Sequence, residues 1–276
     1  DKIPIWIENE TDKKEIVNNL KILLKSAINQ NKHVGIAFSG GVDSCLLALL
    51  SKDFILYSVG LKNSEDLKYA KKAAEKVNWK IRIKELSLED AEEVIKKVVN
   101  ILHKAKVDCN VVNIGVGCVV YSVLEMAKQD SIDTMLGGLG SEEIFAGYER
   151  HTNYSKDFSK ETVQKNLWLG LKDMEKRDLS RDLAIAKIFN INLLAPFLNE
   201  DLVRYAMQIE PSMKINKSDK KIILRETALE LGLPKEFAFR KKKAAQYGSK
   251  FDRALLRLAN KSGFKLKKDY INSIKN

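Results

Sequence analysis

The chain has 276 residues, 45% hydrophobic and 31% charged, which suits one large or two small water-soluble domains and excludes a disordered or fibrous protein. Its +11 charge and pI of about 9.3 keep nucleic acid open as a partner. Its basic residues, though, are scattered outside Arg240-Lys241-Lys242-Lys243 and lack aromatic interleaving, which favours a Lys-rich surface that attracts polyphosphate. No apolar run approaches the roughly 18 residues of a membrane span, and no leader pattern opens the chain. A start at Asp1 rather than Met fits a processed form or a piece of a longer protein. Three cysteines with no C-x-x-C pair argue against a disulfide framework and for a reducing, cytoplasmic setting.

In chain order, apolar residues at Ile16, Val17, Leu20, Leu23, Leu24, Ala27 and Ile28 predict a helix over 12–30 with one buried face. Strands follow at Val34–Phe38 and Phe54–Val59, the second ended by Gly60. Ser64 caps a helix to about Val77. Lys80–Leu86 alternates as a strand with Ile81, Ile83 and Glu85 on one face. Ser87-Leu88-Glu89-Asp90 reads as a capping box that opens a helix to about Leu102. Val111–Ala127 is apolar enough for a buried helix, and Thr134–Leu136 is a short strand. This alternation predicts an α/β fold, a doubly wound parallel sheet covered on both faces. After about Tyr154 the strands stop, and helices are expected over 159–171, 174–189, 199–208, 218–232 and 248–260, separated by prolines. Residues 1–154 then form the nucleotide-binding core, and 155–276 form a helical part that completes the site. Cys45 falls on the apolar side of a helix, and Cys109 and Cys118 flank a valine-rich stretch where a metal would need a third ligand.

Two turns carry chemistry. Ser39-Gly40-Gly41-Val42-Asp43-Ser44 joins a strand to a helix start. Its glycines let backbone approach an anion, and the helix adds free N–H groups and dipole. Asp43 is out of place beside a phosphate unless a cation lies between them, so the turn suggests a nucleotide with Mg²⁺. The second turn, Gly137-Gly138-Leu139-Gly140-Ser141-Glu142-Glu143, also follows a strand, and Glu142 or Glu143 could share that cation with Asp43.

The first turn resembles the pyrophosphate loop of the ATP pyrophosphatases, which cut ATP between its α- and β-phosphates. The stretch 137–148 resembles the asparagine synthetase motif G-x-G-[AS]-D-E-L-F-G-G-Y. Lys221-Ile222-Ile223-Leu224-Arg225, Leu233-Pro234 and Arg240-Lys241-Lys242 resemble the K-x-x-L-R, L-P and R-x-K run of the same family, and Pro196-Phe197-Leu198 its P-F-L-D. These ordered matches cover 37–250, so the chain is similar to the synthetase domain of asparagine synthetases and their relatives, the β-lactam synthetases included. Gln246-Tyr247-Gly248-Ser249 is closer to the asparagine synthetase domain-containing proteins.

The resemblance implies an adenine nucleotide α-hydrolase-like fold with ATP and Mg²⁺ as cofactors, and an adenylating amidoligase activity. It implies that Ser39, Gly40, Gly41, Asp43 and Ser44 hold pyrophosphate, that Val59 offers backbone bonds to adenine, and that Gly137 and Gly138 border the adenosine. It gives Asp43 and Glu142 the metal, Lys221 the charge at the attacked phosphorus, and Lys242 the pyrophosphate. Lys220 and Arg225 near Lys221 would add a cationic helix face.

The acceptor side departs from the family. Leu139 stands where asparagine synthetases carry an acidic residue, and Asn192, Leu194 and Asn199 replace the acid, arginine and aspartate of E-x-R-x-P-F-L-D. An acceptor other than aspartate is therefore expected, a small molecule with nitrogen from free ammonia or a separate glutaminase domain or subunit. A tRNA-modifying enzyme of the same loop class and a non-catalytic ATP-binding protein are the alternatives, and no membrane partner is expected.

Overall fold

Five parallel strands form one sheet in the order β3-β2-β1-β4-β5, comprising β1 (Val34–Ala37), β2 (Phe54–Leu61), β3 (Ile81–Leu86), β4 (Thr134–Leu136) and β5 (Asn192–Leu194). The computed structural model describes residues 12–28, 33–151 and 159–275. Successive strand residues point to opposite faces. Thus Val34, Ile36, Leu56 and Leu136 enter one buried cluster, with α1 (Lys13–Ile28) and α2 (Val42–Leu50). Tyr57, Val59 and Met135 enter the other, with α4 (Leu88–Lys104) and α5 (Val111–Gln129). The sheet is therefore covered on both sides, as the strand–helix alternation predicts.

Local signals explain the helix ends. Ser64 caps α3 (Glu65–Val77) by accepting from the Leu67 N–H at 3.4 Å. Ser87 and Asp90 form the expected reciprocal capping box of α4. Asn78, in the left-handed conformation, ends α3.

Four features differ from the sequence expectation. First, the strands do not stop near residue 154: β5 joins the sheet beside β4, with Leu136 paired to Leu194. Three residues in a helical background carry too little periodicity to read. Second, Ile83 is 40% exposed, because β3 is the edge strand of the sheet. Third, α5 does have the length and hydropathy of a membrane span. It is mostly buried against α4, α8 (Ser180–Phe189), α14 (Phe251–Lys261) and the sheet, so its apolar content is core. Fourth, the helix expected from 218 begins later, as α11 (Ile222–Glu230), because Lys221 adopts a left-handed backbone (φ 54°, ψ 35°).

α6 (Ser141–Ile144) follows β4, and the second half otherwise supplies α7 (Lys160–Met174), α9 (Glu200–Gln208), α10 (Pro211–Lys214), α12 (Lys235–Ala238), α13 (Ala245–Gly248) and α15 (Lys267–Lys275) around this frame. A π turn, Glu175–Leu179, joins α7 to α8. Asn199 keeps the capping role open to an Asp there, accepting from the Leu202 N–H at 3.2 Å.

Candidate active site

Both Gly-rich turns lie at the carboxyl ends of neighbouring strands, β1 and β4, where open α/β sheets place their ligands. Gly40 has φ 70°, and a Cβ there would lie 2.9 Å from the Tyr69 carbonyl oxygen, so only glycine fits this corner. The loop is braced internally: the Ser39 N–H donates to Ser44 Oγ at 3.3 Å, and the Ser44 hydroxyl donates to the Gly41 carbonyl at 3.1 Å. Arg240 clamps it from outside, donating to the Ser39 carbonyl and to Asp66 Oδ1 (2.9 Å) while stacking on Tyr69. The side chain of Lys242 lies across Gly41, its Cδ 2.9 Å from where a Cβ would stand.

Asp43 is 9% exposed and lies in the first turn of α2. Lys221 Nζ donates to Asp43 Oδ1 at 2.7 Å and to Ser141 Oγ at 3.1 Å, and lies 3.0 Å from Glu142 Oε1. The Ser141 hydroxyl donates to Asp43 as well. Burial pushes the Asp43 carboxyl up, but Lys221, Ser141 and Lys242 outweigh it and hold Asp43 below the usual carboxylate value. Burial likewise disfavours the charged Lys221, and Asp43 and Glu142 overcome that, so the ammonium is retained. The centre is thus two carboxylates, Asp43 and Glu142, around one ammonium. Gly138 borders it, a Cβ there lying 3.2 Å from Asp43 Cβ.

Val59 is not the last residue of its strand, since β2 runs on to Leu61. The β1–β2 ladder ends where the Phe38 N–H donates to the Tyr57 carbonyl (2.8 Å), and the Leu61 N–H bonds Ser249 (2.9 Å). Alternation turns the Val59 backbone to that same side, between those two bonds. Gly137 is tied to β5 through its N–H and the Leu194 carbonyl at 2.9 Å.

The cationic face expected beside Lys221 does not form. Lys220 pairs with Glu149, and Arg225 spends its guanidinium on the carbonyls of Lys220, Ala238 and Arg240. Its role is to hold the Phe239–Arg240 corner against α11. Lys221 precedes the helix instead of lying along it.

A second polar cluster adjoins the first through Glu143. Tyr148 donates to Glu143 Oε1 at 2.8 Å, and Arg177 reaches the same oxygen at 2.9 Å. Arg177 also binds Asp178 (2.6 Å), which Arg181 joins at 3.0 Å. Arg177 and Asp178 both lie in the π turn, Glu175–Leu179. Burial raises the Glu143 carboxyl and drives His151 down to about 3, so His151 is neutral at physiological pH. This cluster was not read from the sequence; its visible trace is the repeat Arg177-Asp178 and Arg181-Asp182 one helical turn apart. Ser141, at the position where the family motif allows alanine or serine, joins the centre through its hydroxyl.

Cys109 and Cys118 belong to the core around α4 and α5, whereas Cys45 lies in α2 two residues past Asp43. Cys45, Cys109 and Cys118 are buried and unpaired, and burial pushes the Cys45 thiol up to about 12. Among the described residues no group of three or more His, Cys, Asp or Glu side chains is placed to hold a metal unaided.

The asparagine synthase family pattern matches residues 19–269. A Methanocaldococcus jannaschii protein assigned as glutamine-hydrolysing asparagine synthetase 1 is 36% identical over 85% of this chain and 49% of its own length. Asparagine synthetase B of Escherichia coli is 28% identical over 85% of this chain and 45% of its own length. The chain thus spans about half the length of these curated relatives. Among solved structures, an NH3-dependent NAD synthetase from Campylobacter jejuni aligns with a TM-score of 0.32 at 15% identity, over 71% of this chain and 92% of that one. On the extent of the family match, and with two Gly-rich turns meeting over Asp43 and Lys221, the chain belongs to the asparagine synthase family.

Proposed function

We propose that this chain is an ATP-dependent adenylating ligase that forms an amide or related C–N bond on an acceptor other than aspartate. The observation that carries the reading is the convergence of Asp43, Ser141, Glu142 and Lys221 beside the Ser39–Ser44 loop. In this reading the loop and Lys242 grip the β- and γ-phosphates, Gly137, Gly138 and the Val59 backbone border the adenosine, and Lys221 faces the α-phosphate. Asp43 and Glu142 fit a divalent ion, since two carboxylates from different turns already converge on one cation. Mg²⁺ held there would neutralise the charge of departing pyrophosphate.

An acceptor oxygen attacks the α-phosphorus, the bond to the bridging α–β oxygen breaks, and pyrophosphate leaves with that oxygen. An amine or ammonia then attacks the activated carbon, loses a proton, and AMP departs. Leu139 and Asn192 offer no carboxylate for aspartate or its amine, which supports a different acceptor. Nitrogen arrives as free ammonia or an amine, or from a separate glutaminase. The three buried, unpaired cysteines support a cytoplasmic setting.

A second reading, modification of a tRNA base, gains support from exposed aromatics that the sequence did not show as exposed. Phe239 (37%) and Tyr247 (52%) flank the Arg240–Lys243 run, giving base-stacking surfaces beside positive charge. Release of AMP and pyrophosphate, screened against amino acids, small carboxylates and tRNA with and without ammonia, tests both. Turnover with a small carboxylate supports the first reading; turnover with tRNA alone, weakened by salt, replaces it with the second.

A further inference from the structure

Lys221 is in the place where the metal is wanted. Its ammonium has three oxygen partners, Asp43 Oδ1 at 2.7 Å, Glu142 Oε1 at 3.0 Å and Ser141 Oγ at 3.1 Å. A Mg²⁺ ion needs the same two carboxylates at about 2.0–2.1 Å. An ion that close to both carboxylates would overlap the ammonium and be repelled by its charge. The lysine and a metal ligated by both carboxylates therefore exclude each other.

The protein builds this arrangement deliberately. The Lys221 side chain is only 6% exposed. Its stem runs past Gly147, where a Cβ would lie 2.3 Å from Lys221 Cε and 3.0 Å from Glu142 Cγ, so glycine keeps the slot open. Its backbone is left-handed, a strained conformation for lysine that aims the side chain back from the start of α11 toward α2. The lysine is flexible and unbranched, so the ammonium can shift toward a phosphate without moving the helix. Lys242, exposed over Gly41, is free to meet the nucleotide first.

We propose that Lys221 is a built-in counter-cation that fills the metal position between Asp43 and Glu142, so that a divalent ion is admitted only together with a nucleotide whose phosphates draw the lysine away. This rests on the adenylating reading above. It gives the site a binding order: nucleotide and metal enter as a complex, and free metal is refused. It also gives Lys221 two successive partners, the carboxylates in the free protein and the α-phosphate in the loaded one.

The probe is Mn²⁺, followed by electron paramagnetic resonance on the full chain. Wild type is expected to leave Mn²⁺ free when nucleotide is absent, and to bind one equivalent when α,β-methylene-ATP is added. Lys221→Met is expected to bind Mn²⁺ without nucleotide, about tenfold or more tighter than wild type, and to melt at a higher temperature when Mn²⁺ is present. Wild-type binding of Mn²⁺ alone, as tight as that of Lys221→Met, would overturn the displacement and leave the adenylating reading standing. An unchanged Mn²⁺ affinity in Lys221→Met would overturn it too, as the mark of a permanent structural ion pair. Failure of wild type to bind the nucleotide analogue at all would overturn the adenylating reading itself.

Discussion

Lys214 shows what a single buried charge costs this protein. It is fully buried in α10, its Nζ has no hydrogen-bond partner, and burial lowers its value from 10.5 to about 7. Below pH of about 7 the folded chain must carry an unpaired ammonium, and the full cost is present. Between about 7 and 10.5 the unfolded chain holds this proton and the folded chain does not, so stability rises with pH across that window. Lys214→Met should therefore stabilise the protein near pH 6, on the order of 2–4 kcal/mol, and its advantage should shrink as pH approaches 10. Thermal melts of both proteins from pH 6 to 10 check this; a constant difference would show that Lys214 is not the titrating group. At this scale the loop residues were legible because two glycines and an aspartate are chemically unusual between a strand and a helix, whereas Lys221 stood out only through its resemblance to the family's K-x-x-L-R run. Lys214 was not, since nothing in Ser212-Met213-Lys214-Ile215 distinguishes a buried lysine from an exposed one.

Elements meet the site through a few rigid contacts. The Arg240–Asp66 pair is deeply buried, its side chains 2% and 7% exposed, and Arg240 ties the basic run after α12 to the start of α3 and to the carbonyl of Ser39. Arg240→Ala leaves Asp66 buried without its partner and is expected to cost about 3–5 kcal/mol in urea unfolding. Asp66→Leu/Arg240→Met should lose less than Arg240→Ala, because an absent pair leaves no orphaned charge. A single variant within about 1 kcal/mol of wild type would show that the clamp is dispensable. Helices with caps, such as α3 and α4, were readable because Ser64, Ser87 and Asp90 carry the signal locally. The three-residue β5 and the late start of α11 were not, since one depends on pairing with β4 and the other on a left-handed Lys221 that only its carboxylate partners explain.

Across the whole molecule, the two-faced parallel sheet was legible from alternation, because each buried strand and each amphipathic helix repeats its own period. The location of the site followed from that topology, as both Gly-rich turns end neighbouring strands. What joins them was not legible. Asp43 and Lys221 are far apart in sequence yet 2.7 Å apart in space. The Glu143–Tyr148–Arg177 cluster arises only because α7 and its π turn fold over α6. The chain departs from the family motifs at Leu139 and Asn192, while it keeps the Gly-rich loop, Asp43, an acidic residue at Glu142 and Lys221. In the proposed reading, the chain combines an adenylating centre with a different acceptor side.

The most direct test of that centre is exchange of labelled pyrophosphate into ATP, measured with an acceptor that supports AMP release. Wild type is predicted to exchange in a Mg²⁺-dependent way, and Asp43→Ala and Lys221→Ala to lose exchange while keeping the wild-type circular dichroism spectrum. Normal exchange in both folded variants, or products of ADP and phosphate in place of AMP and pyrophosphate, would contradict the assignment.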